Sequence, residues 1–415
     1  MSIRHKQVQL GLIGTLLTAL IPTLLLSLTS SLSYASETAA QWQQTLNDAE
    51  GQTVFWHAWG GDVRTNNFIR WVGQQTELQY GVKVKQVKLS STAEAVTQVV
   101  AEKAAGQDTG GAVDMIWING PNFLAMKQQG LLHGPFVRQL PNAQYVDLSP
   151  NAAASVDFTE AVAGLEVPWR LARFVFIYDS QRVQEAPESM AQMLVWAKAN
   201  PGRLTHPAVS NFMGASFLKQ ALIELTPDAG LLQQPANEQA FAQATAPLWQ
   251  WYDEIQPYLW RKGTSFPENE AIQQQMLSDG EVDIAMAFDP AAAAAGIESG
   301  LLPASARVFV PKQGSLGNIS FVAVPYNASH IAGAKVVANF LLRPETQAHM
   351  QNIKVLGSFS VLDPQRLDAQ QQAYFDALPS SQALPTLADL GPTLLEPHAS
   401  WMTQLKQQWS QRYSQ

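Results

Sequence analysis

Short apolar runs alternate with helical periodicities along the first third of the chain. Residues 54–59 (VFWHAW) form an apolar run closed by Gly60, Gly61 and Asp62, which predicts a buried strand. From Val63 to Gln79 the apolar positions Phe68, Ile69, Trp71 and Val72 suit one helical face, with Asp62 standing where a cap belongs. In GVKVKQVKLS (81–90) Val82 and Val84 alternate with lysines, the pattern of a half-exposed strand. Ser91-Thr92-Ala93-Glu94 has the spacing of a capping box, and the helix it opens carries Val96, Val99 and Val100 before stopping near Gly106. VDMIWI (113–118) predicts a third strand, and Pro121 the first turn of a helix ending at Gly130.

Three strand–helix alternations in about eighty residues predict a parallel sheet with right-handed crossovers. In such sheets ligands bind beyond the carboxyl ends of the strands, beside the helix N-termini that follow. HAWGGD (57–62) and NGPNF (119–123) lie at two of those ends, so both are candidate walls of one cleft.

The N-terminus adds a destination. Arg4, His5 and Lys6 precede an apolar run from about Val8 to Leu28, and Ser33-Tyr34-Ala35 completes the three-part layout of a secretory signal. The run is also long enough for an uncleaved anchor, but Thr15, Thr18, Pro22, Ser27 and Thr29 interrupt it, which favours cleavage after Ala35. The chain has no cysteine, which excludes disulfides, a thiolate nucleophile and a lipid-modified N-terminal cysteine. A cleaved product is therefore expected to be free in the periplasm. The signal holds two of the 26 basic residues and none of the 34 acidic ones, so its removal takes the net charge from −8 to −10. That balance argues against nucleic acid and mildly favours cationic or neutral solutes.

Four segments, in order, resemble the extracellular solute-binding proteins of ABC importers. They are GGAVDMIWINGPNFLAMKQQGLL (110–132), GLEVPWRLARFVFIYD (164–179), SDGEVDIAMAFDPAAAAAGI (278–297) and GNISFVAVPYNASHIAGAKVVANFLLRPETQAHM (317–350). The resemblance is nearest the cluster of thiamine, polyamine and iron carriers. It implies an α/β fold: a two-lobed periplasmic-binding-protein clamshell, type II-like, each lobe a mainly parallel sheet flanked by helices. After the signal at 1–35, lobe one is expected at 36–168 plus 318–358 and lobe two at 169–317 plus 359–415, with two or three strands crossing as the hinge. The partners it implies are a small organic solute, thiamine- or polyamine-like in the cationic case, and an inner-membrane ABC permease with its ATPase. A monomer without cofactor is expected.

Catalysis finds little footing in the residues. The seven histidines include no HExxH, and neither a G-x-S-x-G elbow nor a phosphate-cradling glycine loop occurs. The alternative from that class is a secreted hydrolase acting on a saccharide or peptide, because glycosidase acid pairs are distant in the chain. The nine tyrosines include no adjacent pair of the sort iron carriers use, so no metal site is assigned.

The ligand-binding candidates sit at strand ends and helix starts. In the first half they are His57, Trp59, Gly60, Gly61, Asn119 and Asn122, each with a plain packing, turn or capping alternative. Around the crossover Trp169 is a candidate, with Arg170 read as a possible hinge ion-pair partner; Trp117 is read as core. In the second half the candidates are His206, Asn211, Phe212, Thr264, Ser265, Asp289, Ser315 and Asn318. Asp289 can be a helix cap, a cleft carboxylate, or both. With Trp59, Trp169 and Phe288 it supports a cationic organic ligand through cation–π contact.

Overall fold

The computed structural model describes residues 39–413 apart from 151 and 387, so the expected signal and its cleavage point after Ala35 lie outside the described residues. The opening elements follow in the expected order: β1 (Thr53–Trp59), α1 (Val63–Tyr80), β2 (Lys83–Leu89), α2 (Thr92–Ala104), β3 (Met115–Ile118) and α3 (Pro121–Gln128). β1 lies between β2 and β3 and runs parallel to both. Local chemistry sets the helix starts. The Asp62 carboxylate accepts from the amides of Arg64 and Thr65, and Ser91 and Glu94 form the capping box at α2.

The two-residue period of β1 decides what each face does. Val54, Trp56 and Ala58 pack with Phe68, Ile69 and Val72 of α1 in one core. The core on the other side of the sheet gathers Val96 and Val99 of α2 with Phe123 and Met126 of α3. The carboxyl end of β1 thereby points into the space above α1, α2 and α3.

A short hairpin, β4 (Val156–Asp157) and β5 (Glu160–Ala161), precedes β6 (Glu166–Arg173) and β7 (Val175–Asp179). The later strands are β8 (Ile284–Ala287), β9 (Ala306–Phe309), β10 (Ser315–Ala323) and β11 (Thr393–Leu394). Between β7 and β9 lie α4 (Met190–Ala199), α5 (Phe212–Leu225), α6 (Glu238–Ile255), α7 (Glu270–Ser278) and α8 (Ala292–Glu298). After β10 come α9 (Ile331–Leu341), α10 (Pro344–Gln351), α11 (Ala369–Asp376) and α12 (Ala399–Tyr413).

β10 pairs antiparallel with both β3 and β6, so the first sheet has a parallel centre and an antiparallel side. β8, β7 and β9 form a second sheet that is antiparallel at both pairings. A mainly parallel sheet was expected for each lobe; the second sheet departs from this. β7 enters it directly from β6, and β8 and β9 reach it after helical excursions that bring each back in reversed sense.

Each sheet is packed on both faces, and the largest core of each shows where the chain crosses. Trp169 and Ile319 belong to the first, whereas Phe174 and Leu316 belong to the second, so the β6–β7 run and β10 each pass from one core to the other. The expected boundaries at 168/169 and 317/318 fall inside these strands. Leu362 and Leu367 pack in the first core rather than the second, because the chain after α10 stays against Tyr145 and Leu148. α12 closes the second core with Trp401, Leu405 and Trp409. No described helix is long and apolar enough to cross a membrane.

Candidate functional site

β6 and β10 carry the floor of a cavity of about 230 Å³. Asn318 pairs with Ala172 and Ser320 with Arg170, and these four side chains face it together. Trp169 behaves differently. Phe321 pairs with Pro168, so Trp169 is the extra, unpaired residue of a β-bulge, a device common next to binding sites. Its indole is fully buried against Trp56 (5.8 Å, edge-on), Phe68 (6.1 Å, stacked) and Trp117 (5.3 Å, edge-on). Trp169 is core, a correction to its assignment as a ligand contact.

The walls come from both sides of those strands. Trp59, Ser91, Thr92, Trp117, Asn119 and Asn122 line one side; Asn211, Phe212, Glu270, Phe288, Met402 and Lys406 line the other. Trp59 is half-buried at the end of β1. A Cβ on Gly61 would stand 2.2 Å from its ring, so Gly61 is required because the indole lies over it. Gly60 plays a different part, donating its amide to Leu89 O (3.0 Å) and accepting from Asn66 Nδ2 (2.9 Å). Neither glycine lines the cavity, and two other depressions, one around Arg138–Pro150 and one around Ala242–Glu254, take no wall from β6 or β10.

Asn119, just past β3, ties that strand's end to β10 by donating Nδ2 to Ile319 O at 2.6 Å. Asn211 caps α5 through Oδ1 to the Met213 amide (2.8 Å), and Phe212 packs on Phe288 at 5.3 Å. Behind this wall lies a fully buried ion pair. Lys219 Nζ is 2.5 Å from Glu396 Oε2, and it sits 4.4 Å from the Phe158 ring centre and 5.1 Å from that of Phe212. Glu396 Oε1 accepts from Asn318 Nδ2 (3.0 Å), so this pair anchors two cavity residues at once.

The charged groups in the lining are Arg170, Glu270 and Lys406. The Arg170 guanidinium lies 4.9 Å from the Trp117 ring centre and 5.4 Å from that of Trp169, and its buried Nε has no hydrogen-bond partner. Burial lowers its pKa; Asp289 and Asp62 oppose that. Burial pushes the Glu270 carboxyl up to about 6, against its own backbone amide. Burial brings Lys406 down to about 8, helped by the nearby Lys219 charge. Lys406 Nζ donates to Ser210 O at 2.9 Å.

Six expected contacts therefore meet at the cavity: Trp59, Asn119, Asn122, Asn211, Phe212 and Asn318. The others stand elsewhere for identifiable reasons. His57 is buried within the sheet with Nδ1 3.4 Å from Phe55 O, and burial lowers its pKa. His206 is fully buried between Phe217 and Phe266, its Nε2 2.8 Å from the Tyr252 hydroxyl and its Nδ1 2.8 Å from Pro207 O. Thr264 is exposed and donates to Arg261 O (2.8 Å), and Ser265 follows it away from the cavity. Asp289 accepts from the Ala291 amide (3.2 Å) and from the Ser358 hydroxyl (2.5 Å), so it braces the turn ahead of α8, whose N-cap is Ala291, and does not line the cavity. Ser315 is buried and accepts from Arg173 Nε at 2.8 Å.

Sequence reasoning missed Ser90–Thr92, Arg170, Glu270 and Lys406 as cavity residues. The capping box at Ser91 did mark a helix start at a strand's carboxyl end, which is a usable signal. Glu270 sits in a run that reads as a solvated helix face, and nothing local marks Lys406.

The comparisons agree with this geometry. A family model described as bacterial extracellular solute-binding protein matches residues 71–379. The chain is 42% identical to Protein YnjB of Escherichia coli (strain K12) over 390 residues, covering 94% of this chain and 98% of that one. Among solved structures, the periplasmic binding protein AfuA of Actinobacillus pleuropneumoniae, with exogenous fructose-6-phosphate bound, superposes with a TM-score of 0.60 at 13% identity, covering 88% of this chain and 99% of that one. The spermidine/putrescine substrate-binding protein PotD of Streptococcus pneumoniae, in complex with calcium and HEPES, gives 0.56 at 14% identity, covering 86% and 99%. These two share its fold, a periplasmic-binding-protein α/β clamshell. With two cores joined by β6 and β10 around a walled cavity, the chain belongs to the bacterial extracellular solute-binding proteins, the ligand-capturing components of ABC importers.

Proposed function

We propose that the cavity above β6 and β10 captures one small organic solute with a flat part and presents it to an inner-membrane permease and its ATPase. The observation that carries this reading is the cavity's composition. Four aromatic residues, Trp59, Trp117, Phe212 and Phe288, alternate with amides and hydroxyls drawn from both sides of the crossing strands. Such a wall suits a ligand held by stacking and oriented by a few polar contacts. The two cores act as lobes and the crossing strands as the hinge, so ligand binding favours a closed form that the permease can read. Cleavage after Ala35 releases the carrier into the periplasm as a monomer.

The cavity does not suit hydrolysis. Glycosidases use two carboxyl groups on opposite sides of the scissile bond, and Glu270 is the one carboxyl group in this lining. No histidine stands there to serve as a base. The test uses purified mature protein and a small-molecule extract of the bacterium that makes it. The extract should raise the melting temperature, by an amount equivalent to about 2.7 kcal/mol for a component at a hundredfold above Kd. Turnover of a member of a glycan or peptide panel, or no stabilisation by the extract, would overturn the reading.

A further inference from the structure

We propose that the solute is an organic anion whose carboxylate or phosphate group docks on Arg170; this rests on the reading of the protein as a solute carrier. Arg170 is the cavity's clearest unfinished contact. A guanidinium offers five N–H donors in a rigid fork suited to a planar oxyanion. Here it lies beside both the Trp117 and Trp169 rings, its Nε is buried without a partner, and no hydrogen bond or ion pair joins it to another described residue. Neither ring supplies an oxygen acceptor, so the N–H donors stay open.

The neighbouring carboxylates do not fill that role, although each adds to the field at Arg170. Asp62 accepts from the Arg64 and Thr65 amides and the Thr65 hydroxyl, with the Arg64 side chain 3.9 Å away. Asp289 is taken up by Ser358 and the Ala291 amide. Glu270 accepts from the backbone amide of its own residue at the start of α7. Each carboxylate is thus satisfied away from the guanidinium. The buried Nε left in this state is costly unless a ligand completes it.

A second observation points the same way. Lys406 reaches the cavity from α12, so the lining holds two cationic side chains and one carboxyl group. Asp289, which the cationic reading required as the ligand's counter-charge, is outside it. The acidic surface does not reverse this preference. Its charges act through water and are screened beyond about 8–10 Å, whereas an oxyanion on Arg170 is a direct, partly desolvated contact.

The experiment divides the extract by ion exchange into anionic, neutral and cationic fractions and measures melting temperature with each. The anionic fraction should carry the stabilisation. Arg170→Gln, checked for folding by circular dichroism and by its own melting curve, should need at least tenfold more of that fraction for the same shift. Arg170→Lys keeps the charge without the fork and should fall between the two. Alkaline phosphatase treatment separates the sources: loss of the effect identifies a phosphate ester, and its survival a carboxylate. Stabilisation carried by the cationic or neutral fraction would overturn the anion inference and leave the carrier reading standing. An anionic fraction that stabilises Arg170→Gln as well as wild type would overturn the role of Arg170. An extract with no active fraction would overturn both readings together.

Discussion

Glu396→Gln is expected to destabilise the protein by about 3–5 kcal/mol, because it strips the partner from a buried ammonium. The side chain of Lys219 is fully buried and that of Glu396 is 3% exposed, with the charged atoms 2.5 Å apart. Burial lowers the Lys219 pKa, and Glu396 is the main influence opposing this, so the ammonium keeps its charge chiefly through that contact. After the substitution the ammonium keeps the Phe158 and Phe212 rings, at 4.4 and 5.1 Å. Such contacts are worth about 0.5–2 kcal/mol each, less than the loss. Glutamine is nearly isosteric, so no cavity is opened, and its amide oxygen can still accept from Asn318.

The double variant separates this cost from ordinary packing. Lys219→Met alone strands the carboxylate and should also cost several kcal/mol. Lys219→Met with Glu396→Gln removes both charges, and its cost should fall at least about 2 kcal/mol below the sum of the singles. Urea unfolding followed by tryptophan fluorescence and by circular dichroism gives the values, with coincidence of the two signals as the check on two-state behaviour. A cost under about 1 kcal/mol for Glu396→Gln, with additive singles, would mean that Lys219 is neutral in the folded protein and that the argument fails.

Three further outcomes follow from particular groups. His206 has a folded pKa of about 4 against 6.5 for a free histidine, since burial keeps it neutral. The unfolded chain therefore binds the extra proton, and stability should drop by about 3 kcal/mol as pH falls from 6.5 to 4; urea titrations at several pH values should show a slope that His206→Phe removes. Gly61→Ala places a methyl against the Trp59 ring and should weaken solute binding about tenfold by calorimetry, while the melting temperature of the free protein changes little. Lys406 loses its proton near 8 and Glu270 gains a charge near 6, so affinity for an anionic solute should fall at both steps as pH rises. Calorimetry from pH 5 to 9 checks this, and Glu270→Gln should erase the lower step; affinity that rises with pH would contradict the charge assignment.

The order of elements in the first half was legible because each boundary carries local chemistry. Asp62, the Ser91–Glu94 box and Pro121 mark helix starts through backbone amides they satisfy or do not need, and all three act as read. The antiparallel second sheet was hidden because pairing sense depends on helices far away in the chain. Cavity residues were legible at helix starts, after the end of β3 for Asn119 and Asn122 and at the start of α5 for Asn211 and Phe212. His206 shows the limit. LTHPAVSNF reads as a polar loop, yet aromatic partners from distant segments, Phe217, Tyr252 and Phe266, enclose the imidazole.

HAWGG and PWR raise the same question, which aromatic faces the ligand, and register answers it in both. In β1 the period of two sends Trp56 to the core, while Trp59, on the opposite face and at the strand's end, stops at the cavity with Gly61 beneath its ring. In β6 the unpaired residue of the bulge is the tryptophan, so its indole joins the core, while the paired Arg170 faces the cavity beside Ser320. The core indole still bears on binding indirectly, because the Arg170 guanidinium lies 5.4 Å from the Trp169 ring centre and 4.9 Å from that of Trp117. Ligand preference then depends less on net charge than on one side chain that folding leaves without a polar partner. Shortening either indole should loosen Arg170 and reduce selectivity for the anionic fraction before it abolishes folding.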